Sequence, residues 1–207
     1  MIASRSPPGT GVRRIEQDIS MSDSRHELTA EQLNDRVAII DLTLRMVEHV
    51  DFLQWDQLRS CFADDLTVNC SYVLGKDESH VETTAAEFVE AWRRTVGGFE
   101  TTQHLLANHR VTIVDTSDDQ HSTATCSAYV QAQHYHANGS GDPIWTLGGH
   151  YDFELVRPAF TNHDDADPNW RISALMQTTL WETGNRHLLG EAAEHSPAAE
   201  SETRKPR

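Results

Sequence analysis

The sequence predicts an α+β domain, a curved sheet with helices covering one face. Two observations carry the prediction. In the first half, apolar residues recur at helical spacing behind two capping boxes, whereas from Thr102 onward apolar and polar residues alternate with a period of two. The order is also informative: helix, helix, strand, helix, then about four long strands, a segregation that suits helices packed on an antiparallel sheet.

The first helix opens at Thr29 as N-cap, with Gln32 three residues on. Leu33, Val37, Ile40, Leu44 and Val47 then form one stripe whose next position is Asp51. A short second helix is expected over residues 55–62, and Leu66-Thr67-Val68-Asn69-Cys70-Ser71-Tyr72 reads as a strand. Thr84-Ala85-Ala86-Glu87 is the second capping box; its helix carries Phe88, Val89 and Trp92 and ends at Gly97-Gly98. Residues 104–115 and 122–136 are β-rich runs joined by the polar turn Thr116-Ser117-Asp118-Asp119-Gln120. Ala124, Cys126, Ala128, Val130 and Ala132 place the buried face of the second run on even positions. Strands over residues 144–157 and 170–181 complete the sheet, and Trp145, Leu147, Tyr151, Phe153 and Leu155 give the former an apolar odd face. Gly148-Gly149 inside that strand reads as a kink that curves the sheet.

One domain is expected over residues 29–184, flanked by disordered tails at 1–28 and 185–207, both rich in small and polar residues. The chain of 207 residues carries a formal charge of −15, a field that repels phosphate backbones and anionic membranes, so neither nucleic acid nor a membrane surface is an expected partner. Three cysteines, Cys61, Cys70 and Cys126, share no C-x-x-C spacing, which argues against a thiolate metal site and points to the cytoplasm as the expected location. Phosphate-binding glycine loops and the G-x-S-x-G nucleophile elbow do not occur.

Asp51 stands out because a charge on an apolar stripe must be paired or neutral, unless the helix frays there and the carboxylate faces water. His104 is a candidate acid–base group. Its orientation is open: Leu105, Ala107, Val111 and Ile113 make the odd face the more apolar, which turns His104 outward unless a bulge reverses the parity. His134 and His136 share the inward face of their strand, either as pocket-mouth residues or as part of a metal site lacking an identifiable third ligand. His150 and Asp152 share the polar face of theirs.

Asp51-Phe52-Leu53-Gln54-Trp55-Asp56-Gln57-Leu58 resembles the D-x-x-x-W-D-x-L segment of scytalone dehydratase-type enzymes; Thr102-Gln103-His104 resembles their T-Q-H, and Trp170-Arg171-Ile172 a word opening the last strand of SnoaL-like proteins. The resemblance spans about residues 33–182. It implies the nuclear-transport-factor-2-like fold, a cone of curved mixed sheet and about three N-terminal helices around one deep pocket, with no cofactor and no metal. It further implies a dehydratase in which His104 removes the proton α to a ketone and Asp51 orients it, with His134 or His136 in the place of a second histidine. Where the family has two tyrosines, this chain has Val50 and Cys70; Tyr72 and Asn108 are the substitute polar contacts, and Trp145 and Tyr151 are expected wall residues. The implied substrate is a small hydroxy ketone, aromatic or polyketide-derived. Alternatives in the same pocket are cyclisation, isomerisation or epoxide opening with Asp51 as base. A non-catalytic module like the β-subunit of a Rieske oxygenase is a third. A homo-oligomer, dimer or trimer, is expected.

Overall fold

The computed structural model describes residues 28–72, 78–114, 122–139, 141–157 and 170–196; the greater part of the expected N-terminal tail lies outside the described residues. Helices α1 (Ala30–Asp51) and α2 (Trp55–Ser60) lead into strands β1 (Phe62–Tyr72) and β2 (Glu78–Thr84); α3 (Ala85–Val96) follows. Then come β3 (Thr101–Val114), β4 (Ser122–Tyr135), β5 (Ile144–Arg157), β6 (Arg171–Gly184) and α4 (Leu188–His195). The strands form one mixed sheet in the order β2-β1-β6-β5-β4-β3. Only the β1–β6 pair is parallel; the others are antiparallel. Among the described residues no helix is long and apolar enough to cross a membrane.

Both capping boxes form. Thr29 and Gln32, and likewise Thr84 and Glu87, exchange side-chain and backbone hydrogen bonds at the starts of α1 and α3. On β4 the even positions from Ala124 to His134 are buried, as the alternation predicts. Gly148-Gly149 coincides with a register shift between β5 and β6, and a side chain at Gly148 would collide with the Trp181 ring, 2.2 Å from its first carbon.

Four expectations need correction. The core face of α1 is Ile39, Leu42, Met46 and Val50, whereas Leu33, Val37 and Leu44 of the expected stripe are exposed. The helix is rotated by roughly a third of a turn from that reading. The apolar residues of α1 surround it on more than one side, so spacing alone does not choose the face; packing against the sheet does. Strand β2 lies where none was expected, as the outer partner of β1. The strand before it begins at Phe62 rather than Leu66. Finally, residues 188–195 of the expected C-terminal tail form α4, because Leu188 and Ala192, one helical turn apart, bury completely. Gly98 permits that docking: a side chain there would strike the Ala192 carbonyl.

One polar cluster is built into this core. Buried Asp35 on α1 accepts hydrogen bonds from Arg157 at the end of β5 and from the Trp170 indole, and the Arg157 guanidinium lies over the Trp170 ring at 4.6 Å. It joins the first helix to both ends of the loop between β5 and β6, so the charge on Asp35 is buried with its partners.

Candidate active site

The site lies where the last turn of α1 meets the start of β3. Asp51 ends the helix, and its carboxylate takes three hydrogen bonds from one strand. The Thr102 hydroxyl donates to Oδ1 at 2.7 Å, the His104 backbone N–H to Oδ2 at 2.8 Å, and His104 Nδ1 lies 2.7 Å from Oδ1. Both side chains are largely buried, His104 at 5% exposure and Asp51 at 15%. Burial alone pushes the Asp51 carboxyl up, but the bonds from His104 and Thr102 outweigh it and hold the group below its ordinary range. An ionised carboxylate can only accept, so Nδ1 carries the proton and Nε2 is left as a base.

A bulge decides which way His104 points. The β3–β4 register shifts between Ala107 and Arg110, and Asn108 there has a left-handed φ of 57°. Before the bulge the even residues Thr102, His104 and Leu106 turn inward; after it the odd residues Val111 and Ile113 do. The apolar odd face read from the sequence therefore belongs to two different faces of the sheet.

His134 on β4 is buried, with its ring centroid 5.6 Å from that of His104 in an edge-to-face arrangement and 4.6 Å from the Trp145 ring. Burial, helped by the neighbouring His104, pushes its pKa down to about 3, so the ring is neutral at neutral pH. His104 and His134 together face a cavity of about 260 Å³ inside the cone. Its walls are apolar and aromatic: Phe88 and Trp92 from α3, Trp145 and Tyr151 from β5, and Leu189 from α4. On their other side Asp51, His104 and His134 border an outer groove of about 650 Å³ beside the β3 edge.

The expected site residues thus divide. Asp51, His104, His134, Trp145 and Tyr151 converge on the cavity or its rim. His136 does not: β4 ends at Tyr135, and the His136 ring packs near Phe99 and His195, with centroids 6.3 and 5.5 Å away. Asn108 sits in the bulge and opens onto the outer face of the sheet beside Tyr129 and Asp152, so it is no substrate contact in this cavity. Tyr72 ends β1, and its side chain lies outside the described residues. His150 and Asp152 form a half-exposed pair at 3.1 Å, also on the outer face. Among the described residues no cluster of three His, Cys, Asp or Glu could hold a metal ion. Sequence reasoning gave Thr102, the first residue of the T-Q-H word, no role as a hydrogen-bond donor to Asp51, and it passed over Gln177 and Leu189 in the wall.

Residues 31–176 match the sequence model of the SnoaL-like domain. The chain belongs to the SnoaL-like family. A crystal structure of the Kfla4162 protein from Kribbella flavida is 30% identical, with a TM-score of 0.60, covering 76% of this chain and 98% of that one. Two further solved structures share the fold. One is a putative scytalone dehydratase from Novosphingobium aromaticivorans, at 20% identity, TM-score 0.54 and coverage of 77% and 93%. The other is a type 3 hexachlorocyclohexane dehydrochlorinase from Novosphingobium barchaimii, at 21%, 0.51, 75% and 93%. A search of curated proteins finds no match. The cone expected from the sequence resemblance is thus the fold of the chain.

Proposed function

We propose that the protein is a cofactor-independent dehydratase acting on a small, neutral, largely apolar β-hydroxy ketone. The observation that carries this reading is the 2.7 Å contact between the Asp51 carboxylate and His104 Nδ1 at the wall of an apolar cavity. Asp51 fixes the tautomer and stabilises the imidazolium that forms; His104 Nε2 removes the proton from the carbon α to the carbonyl. The electrons of that C–H bond become the new double bond, the β C–O bond breaks, and the departing hydroxide takes the proton back from His104 as water. A dry aromatic wall strengthens each of these polar contacts. His134, held neutral, cannot supply the proton at neutral pH; it donates or accepts a hydrogen bond at the same end of the cavity. Two fold neighbours carry names that denote elimination, of water in one and of hydrogen chloride in the other, and either elimination needs a base.

The test uses 3-hydroxy-1-tetralone, whose dehydration gives fluorescent 1-naphthol. His104→Ala is expected to lower kcat/KM on the order of 10²- to 10⁴-fold with unchanged folding. Asp51→Asn is expected to lower it less and to move the acid limb of the pH profile to lower pH. Full activity in His104→Ala, or no turnover by the wild type across a panel of β-hydroxy ketones, would overturn the dehydratase.

A further inference from the structure

Asp51 receives more hydrogen bonds than its orientation requires. His104 holds both of its oxygens, Oδ2 through the backbone N–H at 2.8 Å and Oδ1 through Nδ1 at 2.7 Å. Two contacts from one residue already fix the plane of the carboxylate. The Thr102 hydroxyl is a third donor, and it lies 2.7 Å from Oδ1, the same oxygen that faces the imidazole. Thr102 and His104 stand two residues apart ahead of the bulge, so their side chains leave the strand on one face and meet one acceptor. Thr102 is buried and its β-branch restricts χ1, so the fold rather than water places the hydroxyl.

The third bond changes the charge on that oxygen rather than its position. Burial raises the Asp51 carboxyl, the bonds and charge of His104 lower it, and the bond from Thr102 lowers it further. A donor that stabilises the ionised form makes the carboxylate a weaker base. A weaker base draws less on the Nδ1 proton beside it.

Resting on the reading of Asp51 and His104 as the acid–base pair, we propose that Thr102 is a positioning residue that acts through Asp51. It holds down the basicity of the oxygen opposite His104 and touches no reacting atom. When Nε2 takes a proton from the substrate, the proton on Nδ1 then stays where it is. The pair becomes carboxylate and imidazolium, not carboxylic acid and neutral imidazole. A base of restrained strength also gives its proton back, which the departure of water requires.

The Nδ1 proton of His104 reports this by NMR, because a bond to a carboxylate moves such a proton to low field, and further as the acceptor becomes more basic. The full-length protein, with isotope-labelled histidine and no ligand, is taken from neutral to acid pH, and the resonance is assigned by its loss in His104→Gln. In Thr102→Val a methyl group fills the space of the hydroxyl and keeps water from replacing it. The resonance is expected to move further downfield in this variant. Its imidazolium is expected to be harder to deprotonate by on the order of three- to tenfold, which is what one neutral hydrogen bond contributes. Thr102→Ser keeps the donor and is expected to return both readouts toward the wild type. Thr102→Cys, a weak donor, serves if the valine variant does not fold, with the same direction of change. Readouts unmoved by valine mean that Thr102 only packs. A resonance that moves upfield or vanishes there means that the hydroxyl holds the carboxylate in place instead of weakening it, and either result overturns the proposal. Absence of the resonance from the wild type removes the pair itself, and the dehydratase with it. A wild type and variants that respond as stated, without dehydration of 3-hydroxy-1-tetralone, keep the role of Thr102 and lose the dehydratase.

Discussion

His134 shows how one residue ties the site to the stability of the domain. In the folded chain it faces His104 and Asp51 with a pKa near 3, against an ordinary value of 6.5. Between those values the unfolded chain holds a proton that the folded chain does not, so stability must fall as pH falls through that window. From pH 7 to pH 5 this single group costs about 2 kcal/mol. Asp51 works in a lower range: its depressed pKa makes its contribution complete above the ordinary carboxyl value and lost as pH falls through the folded one. Urea denaturation at the two pH values checks the first effect. His134→Phe, which cannot titrate, is expected to lose about 2 kcal/mol less than the wild type over this interval. Equal losses would show that the ring is protonated in the folded protein.

At the scale of elements, what could be read in advance depended on whether one physical cause acted alone. The β4 face was legible because five alternating apolar residues meet a regular, unbulged strand. The two capping boxes were legible because they are local. The α1 face was not, since the exposed Leu33, Val37 and Leu44 are as apolar as the buried Ile39, Leu42 and Met46. Nor was the orientation of His104, which one residue in the left-handed region reverses. Asp51 and His104 themselves were legible as a pair, from local words more than from periodicity. The bond that Thr102 donates to Asp51 was not, because the T-Q-H word contains the threonine without telling where its hydroxyl turns. The bulge gives a prediction of its own. Asn108→Val places a β-branched residue at φ 57° and is expected to cost about 1–3 kcal/mol, whereas Asn108→Gly is expected to be neutral or stabilising. Thermal melts of the two variants check this, and a valine variant as stable as the parent would show that the bulge relaxes.

At the scale of the whole molecule, the described residues leave the outer face of the sheet uncovered. Tyr129, Met176, Leu180 and Trp181 are exposed there. Arg110 borders the same surface as Asp152 and Glu154, yet it forms no ion pair with the described residues. A patch carrying both signs can pair with itself under a twofold axis that sets each Arg110 against the acids of the other copy. We therefore propose a second copy as the occupant. Light scattering is expected to give at least twice 23.3 kDa, and Arg110→Glu to shift the protein toward monomer. A wild-type monomer at tens of micromolar would overturn this.

The bulge at Asn108 also divides the labour of β3. Residues ahead of it answer to the Asp51 carboxylate, through Thr102 and His104, while those after it answer to packing, through Val111 and Ile113. One extra residue is what lets a single strand serve both masters. Its deletion would act as an inversion rather than a shortening, with one half of the strand turned inside out: either the imidazole is carried out into water, or two core side chains are.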